Sequence, residues 1–254
     1  MVGQRVIRVL DDPAALFRAA AEEFVARAQV AVQARGVCAV ALSGGSTPRG
    51  INGVLADAGA GFRARVPWEA VHIFWGDERH VPPDHADSNY RMAAETLLSR
   101  VPVPEGNVHR IRAEGPDAES VARAYEDELR EFFGARERLD GGWPRFDLCL
   151  LGMGPDGHTA SLFPGTDAVH EARYLVAAPW VPKLTAHRIT LTPPVFNAAE
   201  TVVFVAAGTD KAATLAAVLE GERCVDLYPS QTIQPVRGEL VWLVDRAAAA
   251  KLTR

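Results

Sequence analysis

Short apolar runs alternate with amphipathic stretches along this chain, and the alternation predicts strands and helices in turn. Arg5 to Leu10 reads as a first strand, and Pro13 opens an alanine-rich amphipathic segment that reads as helix to about Ala34. Val37 to Leu42 (VCAVAL) is uniformly apolar, as a buried strand is, and ends in Ser43-Gly44-Gly45-Ser46-Thr47-Pro48. Pro48 suits the first turn of a helix through Leu55, because its missing N–H would have no partner there. Ala70 to Trp75 is a third strand ending in Gly76-Asp77-Glu78-Arg79-His80, with a polar loop and a helix from about Ser88 to Ser99 beyond it. Asn107 to Ile111 reads as a short strand and Asp117 to Phe133 as a charged amphipathic helix with Pro116 and Asp117 as start signals. Gly134 to Arg145 reads as loop, and Phe146 to Leu151 as another buried strand. Tyr174–Ala178, His187–Leu191, Thr201–Ala206 and Leu240–Val244 are further strands, and Asp210–Leu219 a helix after Gly208-Thr209. The stretch from Gly165 to Ala199 has the least regular pattern. Strands alternating with helices predict an α/β fold with a mostly parallel sheet. No repeat, low-complexity tract or linker interrupts residues 1–254, so a single domain is expected.

Composition narrows the picture. The chain has 254 residues, enough for a substantial core, and 48% hydrophobic against 23% charged residues is ordinary globular composition. A net charge of −5, with no basic stripe alternating with aromatics, argues against nucleic-acid binding. The three cysteines, Cys38, Cys149 and Cys224, form no CxxC pair, and two of them sit in apolar strand-like runs. The N-terminal MVGQRVIRVLDD lacks the pattern of a signal peptide, and nothing approaches a membrane span. A cytoplasmic protein is expected.

The candidate chemistry gathers after the strands. In a parallel α/β sheet, ligands bind beyond the carboxyl ends of the strands. Four polar turns follow strands here: SGGSTP, GDERH, GMGPDGH and Gly208-Thr209-Asp210-Lys211. If the sheet is parallel, all four lie on one edge. The first places a Gly/Ser/Thr turn before a helix N-terminus, where free backbone N–H groups and the helix dipole favour an anion. It is not a P-loop, which would need a lysine after Gly50 where Ile51 stands. Beside Arg79 and Lys211, it reads as a phosphate site rather than a plain turn. The third turn delivers His158 two residues after Asp156, which suits a general base held by a carboxylate; a lone surface histidine after a tight turn is the plainer alternative.

Other patterns exclude themselves. Gly152-x-Gly154-x-x-Gly157 matches a dinucleotide fingerprint, but Pro164 and Gly165 break the helix the fingerprint requires, so no NAD is expected. His80, Asp84, His85 and Asp87 match no metal-ligand spacing and read as a solvated loop, with Asp77 and Arg79 set apart at a strand end. His72 reads as a core or sheet-face residue, and His109 and His170 carry no signal. No GxSxG elbow is present, so no serine nucleophile is expected. What remains is a phosphate cradle, the basic residues Arg79, Arg188 and Lys211, and the Asp156/His158 pair. Hydrolysis by an activated water and sugar-phosphate isomerisation are the two chemistries this suits.

Four blocks carry a specific resemblance: LSGGSTPRG at Leu42–Gly50, FWGDERHVPPDHADSNYRM at Phe74–Met92, FDLCLLGMGPDGHTASLFPG at Phe146–Gly165, and HRITLTPPVFNAA at His187–Ala199. In order and spacing they span nearly the whole chain, and they resemble the 6-phosphogluconolactonase family. The resemblance implies a Rossmann-like three-layer α/β/α fold shared with glucosamine-6-phosphate deaminases. It implies hydrolysis of 6-phospho-D-glucono-1,5-lactone in the oxidative pentose phosphate pathway, a small-molecule substrate and no metal or organic cofactor. A monomer or small homo-oligomer is expected. His158 would activate the water, with Asp156 and Asp77 orienting it or binding hydroxyls. Gly44, Gly45, Ser46, Thr47 and Gly157, with Arg79, Arg188 and Lys211, would hold the phosphate and polar rim. Amides of the glycine turn would stabilise the oxyanion, and Asp77–Asn89 is the candidate closing loop. Deaminases carry a glutamate five residues after this histidine, where Phe163 stands, and a tyrosine is usual in them at the place of Arg79. A non-catalytic sugar-phosphate-binding module is the remaining alternative.

Overall fold

A computed structural model describes residues 5–253 of the chain. β1 (Arg5–Leu10) leads into α1 (Pro13–Arg35), then β2 (Cys38–Leu42), α2 (Ser46–Ala56) and the short α3 (Phe62–Arg65). β3 (Val71–Trp75) and β4 (Asp77–Arg79) follow with only Gly76 between them, then α4 (Asn89–Thr96), β5 (Val108–His109) and α5 (Ala118–Gly134). A small hairpin, β6 (Leu139–Asp140) and β7 (Trp143–Pro144), precedes β8 (Leu148–Leu151). Then come β9 (Val176–Ala177), β10 (Trp180–Val181), β11 (Ala186–Leu191), α6 (Pro193–Ala198), β12 (Thr201–Ala206), α7 (Ala212–Glu220) and β13 (Glu239–Asp245).

The helices start where local chemistry satisfies their first amides. Asp12 caps α1 by accepting from the Ala15 amide at 2.7 Å, Pro13 fills the first helical position, and Gly36 ends the helix in a left-handed conformation at φ 73°. Asp117 caps α5 in the same way through the Ser120 amide at 2.7 Å. Leu16, Ala20, Phe24 and Ala28, four residues apart, form a fully buried stripe on α1. Its alanines let the helix lie close on the sheet, and it packs on β2, β8, β12 and β13.

Seven strands form one sheet in the order β1-β13-β12-β8-β2-β3-β5, and every pairing in it is parallel. β2, β8 and β12 are buried along their whole length, as strands covered on both faces must be. Helices flank the sheet in a three-layer α/β/α arrangement. The Phe204 and Trp242 rings stack between neighbouring β12 and β13, their centroids 4.0 Å apart. β2 and β8 lie side by side in the middle. From β2 the chain moves outward to β3, whereas from β8 it moves the other way to β12. That reversal opens a crevice beyond the carboxyl ends of β2 and β8, where doubly wound sheets place their ligands.

Sequence and structure differ in three places. Asp77–Arg79, read as a turn, is strand β4, which pairs antiparallel with β11 in a second small sheet. Its three charged side chains carry no apolar periodicity, so only the partner strand reveals it. The irregular stretch after Gly165 holds, besides the expected strand β9, the short strand β10, which pairs with β11, and then α6. The β6–β7 hairpin lies where a plain loop was expected.

Candidate active site

The SGGST turn follows β2 and opens α2. Gly45 takes φ 103° at the N-cap and supplies no side-chain cap, so the first-turn amides of α2 keep their intrinsic lack of intrahelical partners. Gly44 must be glycine for a different reason. A Cβ there would stand 1.7 Å from Oδ1 of Asn89, whose side chain crosses over the turn.

Asn89 reaches that place because Glu78 anchors the start of α4. Glu78 is buried and its carboxylate accepts four bonds: from the amides of Arg79 (2.8 Å), Asn89 (2.8 Å) and Tyr90 (2.7 Å) and from the Ser88 hydroxyl (3.1 Å). Burial pushes its carboxyl up, and the bonds from the Asn89, Tyr90 and Arg79 amides oppose that. Both ends of the candidate closing loop Asp77–Asn89 are tied together at this one carboxylate. Asn89 in turn donates to the Asp77 backbone oxygen at 2.9 Å and to Oδ1 at 3.3 Å, and Ser161 Oγ donates to Asp77 Oδ2 at 2.7 Å. Asp77 is thereby fixed against two other segments of the chain.

The turn after β8 is wound tightly around His158. The Gly154 amide donates to the His158 carbonyl at 2.8 Å and the Gly157 amide to the Gly154 carbonyl at 3.0 Å. These two amides are engaged inside the turn, which removes them as donors to an oxyanion. A Cβ on Gly154 would lie 2.1 Å from the His158 ring, and one on Gly157, at φ 79°, would meet Tyr228 at 2.8 Å. No helix follows. Ala160 takes φ 47°, and Thr159 and Leu162 form an isolated bridge, turning Ser161 back towards Asp77. The dinucleotide pattern therefore lacks its helix.

His158 Nδ1 is hydrogen-bonded to Asp156 Oδ1, and Lys183 Nζ to Asp156 Oδ2. Partial burial disfavours the charged carboxylate, but the bonds from His158 and Lys183 outweigh it and hold Asp156 well below the usual carboxylate range. An ionised carboxylate only accepts, so the proton of the imidazole sits on Nδ1 and the lone pair on Nε2. The ring of Phe163 stacks on the imidazole with centroids 4.2 Å apart and planes 26° apart.

A cleft of about 270 Å³ joins these parts. Gly44, Gly45, Ser46, Thr47, Asp77, Arg79, His158 and Lys211 all line it. Three predicted residues stand behind its wall: Asp156 as the partner of His158, Gly157 against Tyr228, and Arg188 on β11 directly opposite Arg79 on β4. Burial and then the charge of Arg79 push the Arg188 guanidinium below its usual value. Two cations facing each other across paired strands repel. Arg79 donates to the Asp87 carbonyl and Arg188 to the His187 carbonyl at 3.2 Å, so an anion at this edge would relieve the repulsion. Lys211 pairs with Asp210 at 2.7 Å.

Sequence reasoning missed Ser43, Asn89, Ser161 and Lys183. Ser43 is buried on the cleft floor with no partner for its hydroxyl, and only its place at the end of β2 could have marked it. Lys183 falls in the stretch without periodicity, where no signal pointed to it. Of the histidines set aside, His72 and His109 bond to each other at 3.0 Å and His109 to Glu128 at 2.8 Å, away from the cleft. His80 bonds to the Gly115 carbonyl at 3.1 Å.

The chain is similar over nearly its full length to known proteins. A family model described as glucosamine-6-phosphate isomerases/6-phosphogluconolactonase matches residues 11–242. A 6-phosphogluconolactonase of Nostoc sp. is 40% identical over 250 residues, covering 98% of this chain and 99% of the relative. One from Synechocystis sp. is 43% identical over 222 residues, covering 87% and 88%. The solved structure of 6-phosphogluconolactonase from Trypanosoma brucei superposes with a TM-score of 0.85 at 29% identity, covering 99% of this chain and 100% of that one.

Proposed function

The chain belongs to the glucosamine-6-phosphate isomerase/6-phosphogluconolactonase family, and within it we propose that it hydrolyses 6-phospho-D-glucono-1,5-lactone to 6-phospho-D-gluconate. The observation that carries this reading is the Asp156–His158 pair opening on one cleft with the SGGST turn and Lys211, with Phe163 stacked on the imidazole. The deaminase branch needs an ionisable side chain at the place of Phe163. A buried phenyl ring can neither take nor relay a proton.

The phosphate anchors the substrate at the α2 N-terminus, Lys211 and the Arg79/Arg188 edge. His158 Nε2 takes a proton from the water that attacks C1, and the C1–O bond forms as the carbonyl pair moves onto oxygen. Collapse of the tetrahedral intermediate breaks the bond between C1 and the ring oxygen, which leaves with a proton returned from the imidazolium. Asp156 keeps the ring oriented and stabilises its charge during the step. With the Gly154 and Gly157 amides engaged, the developing oxyanion falls to other donors on the cleft wall.

The test is the kcat/KM for 6-phosphogluconolactone against the unphosphorylated lactone, corrected for spontaneous hydrolysis. A strong preference for the phosphorylated substrate is expected. Equal rates on both would remove the phosphate-anchoring part of the reading.

A further inference from the structure

Lys183 sits on the turn between β10 and β11, which Thr185 closes in a left-handed conformation at φ 48°. Its ammonium lies 4.7 Å from the centroid of Phe163, the same ring that stacks on His158, and its Nζ binds the one oxygen of Asp156 that His158 does not hold. The lysine comes from a segment distant in sequence, and no packing requirement places a half-exposed ammonium there. We propose that Lys183 is a positioning residue: it docks the β10–β11 turn on the dyad and divides Asp156 between an ammonium and the imidazole. This rests on the reading of His158 as the base.

Two consequences follow from the charge. Sharing Asp156 weakens its hold on a protonated imidazole, and the nearby ammonium repels the same imidazolium. Both act on the charge that the imidazole carries once it has taken the proton. The charged groups around His158 are Asp156 on its own turn and Lys183 on the β10–β11 turn. Asp77 and Arg79 of β4, and Lys211 ahead of α7, line the same cleft. Lys183 is the only one of these cations that touches the dyad among the described residues. The docked turn also continues into β11, which carries Arg188 to its place opposite Arg79. One contact thus ties the rim of the anion edge to the candidate base.

Lys183→Met and Lys183→Arg, each compared with the parent, test this. In Lys183→Met the acidic limb of the kcat/KM profile moves to higher pH, because the ammonium that repels the imidazolium is gone. Plateau kcat changes only a few-fold, and amides of residues 180–186 exchange faster with deuterium. Lys183→Arg, which restores the cation, keeps the parent profile and exchange. A pH profile unmoved in Lys183→Met overturns the proposal, whether or not exchange rises, since faster exchange alone would make the lysine a mere anchor of the turn. Unmoved exchange overturns the docking even in an active enzyme. A parent inactive on the lactone would instead overturn the functional reading, and with it the role assigned to the base.

Discussion

His158 owes its chemical capacity to what surrounds it within a few ångströms. Nδ1 is committed to a carboxylate that stays ionised, one ring face lies on Phe163, and Gly154 leaves no room for a Cβ on the turn beneath. The bond and the stack together favour the orientation that leaves Nε2 free. The cations do different work. In the proposed reading Lys211 and Arg79 hold the phosphate, which does not change during the reaction, so each would hold ground state and transition state alike. Lys211→Ala and Arg79→Ala should raise KM for the phosphorylated lactone by about 10-fold or more with kcat much less affected. Initial-rate kinetics of the two variants check this, and an unchanged KM removes that residue from the phosphate site. The identities of most of these residues were legible in the sequence because glycines, a histidine and an aspartate crowd the ends of apolar runs. Lys183 and Ser161 were not, since their meaning lies in partners, Asp156 and Asp77, that lie far from them along the chain.

At the scale of elements, Glu78 decides where β4 and α4 stand. Its side chain accepts from three amides and a hydroxyl, an arrangement no single helix cap could supply. Glu78→Ala leaves these buried donors without partners and should destabilise the protein by roughly 2–4 kcal/mol. The melting temperature should fall by on the order of 10 °C, and activity should fall with it, because Asn89 and Arg79 lose their anchor. Glu78→Gln should recover only part of this, since an amide offers one acceptor oxygen and turns N–H groups towards backbone donors. Calorimetry of both variants checks it, and a melting temperature within a degree or two of the parent would show that the four bonds contribute nothing. The strands β2, β3, β8, β12 and β13 were readable from short, largely apolar runs. β4 and β10 were not. Strands of two or three residues are too short to show a periodicity, and their existence depends on β11 lying alongside.

For the molecule as a whole, the parallel sheet could be inferred from the alternation of strands and helices, but its strand order could not. The order matters because it sets β2 beside β8 and sends the chain away from them in opposite directions. That choice brings the SGGST turn and His158, about a hundred residues apart in sequence, to one crevice. Fold alone does not select the reaction, since one architecture serves several chemistries and the site must decide between them. Here the deciding position is Phe163 beside His158. The most direct test is to supply freshly generated 6-phosphoglucono-δ-lactone and, in parallel, glucosamine 6-phosphate, to the parent and to His158→Ala. Rapid lactone hydrolysis above background is expected, with no deamination and a loss of kcat in His158→Ala of about 10²–10⁴-fold with KM little changed. Deamination without hydrolysis, or full turnover in the absence of the imidazole, would contradict the proposed reaction.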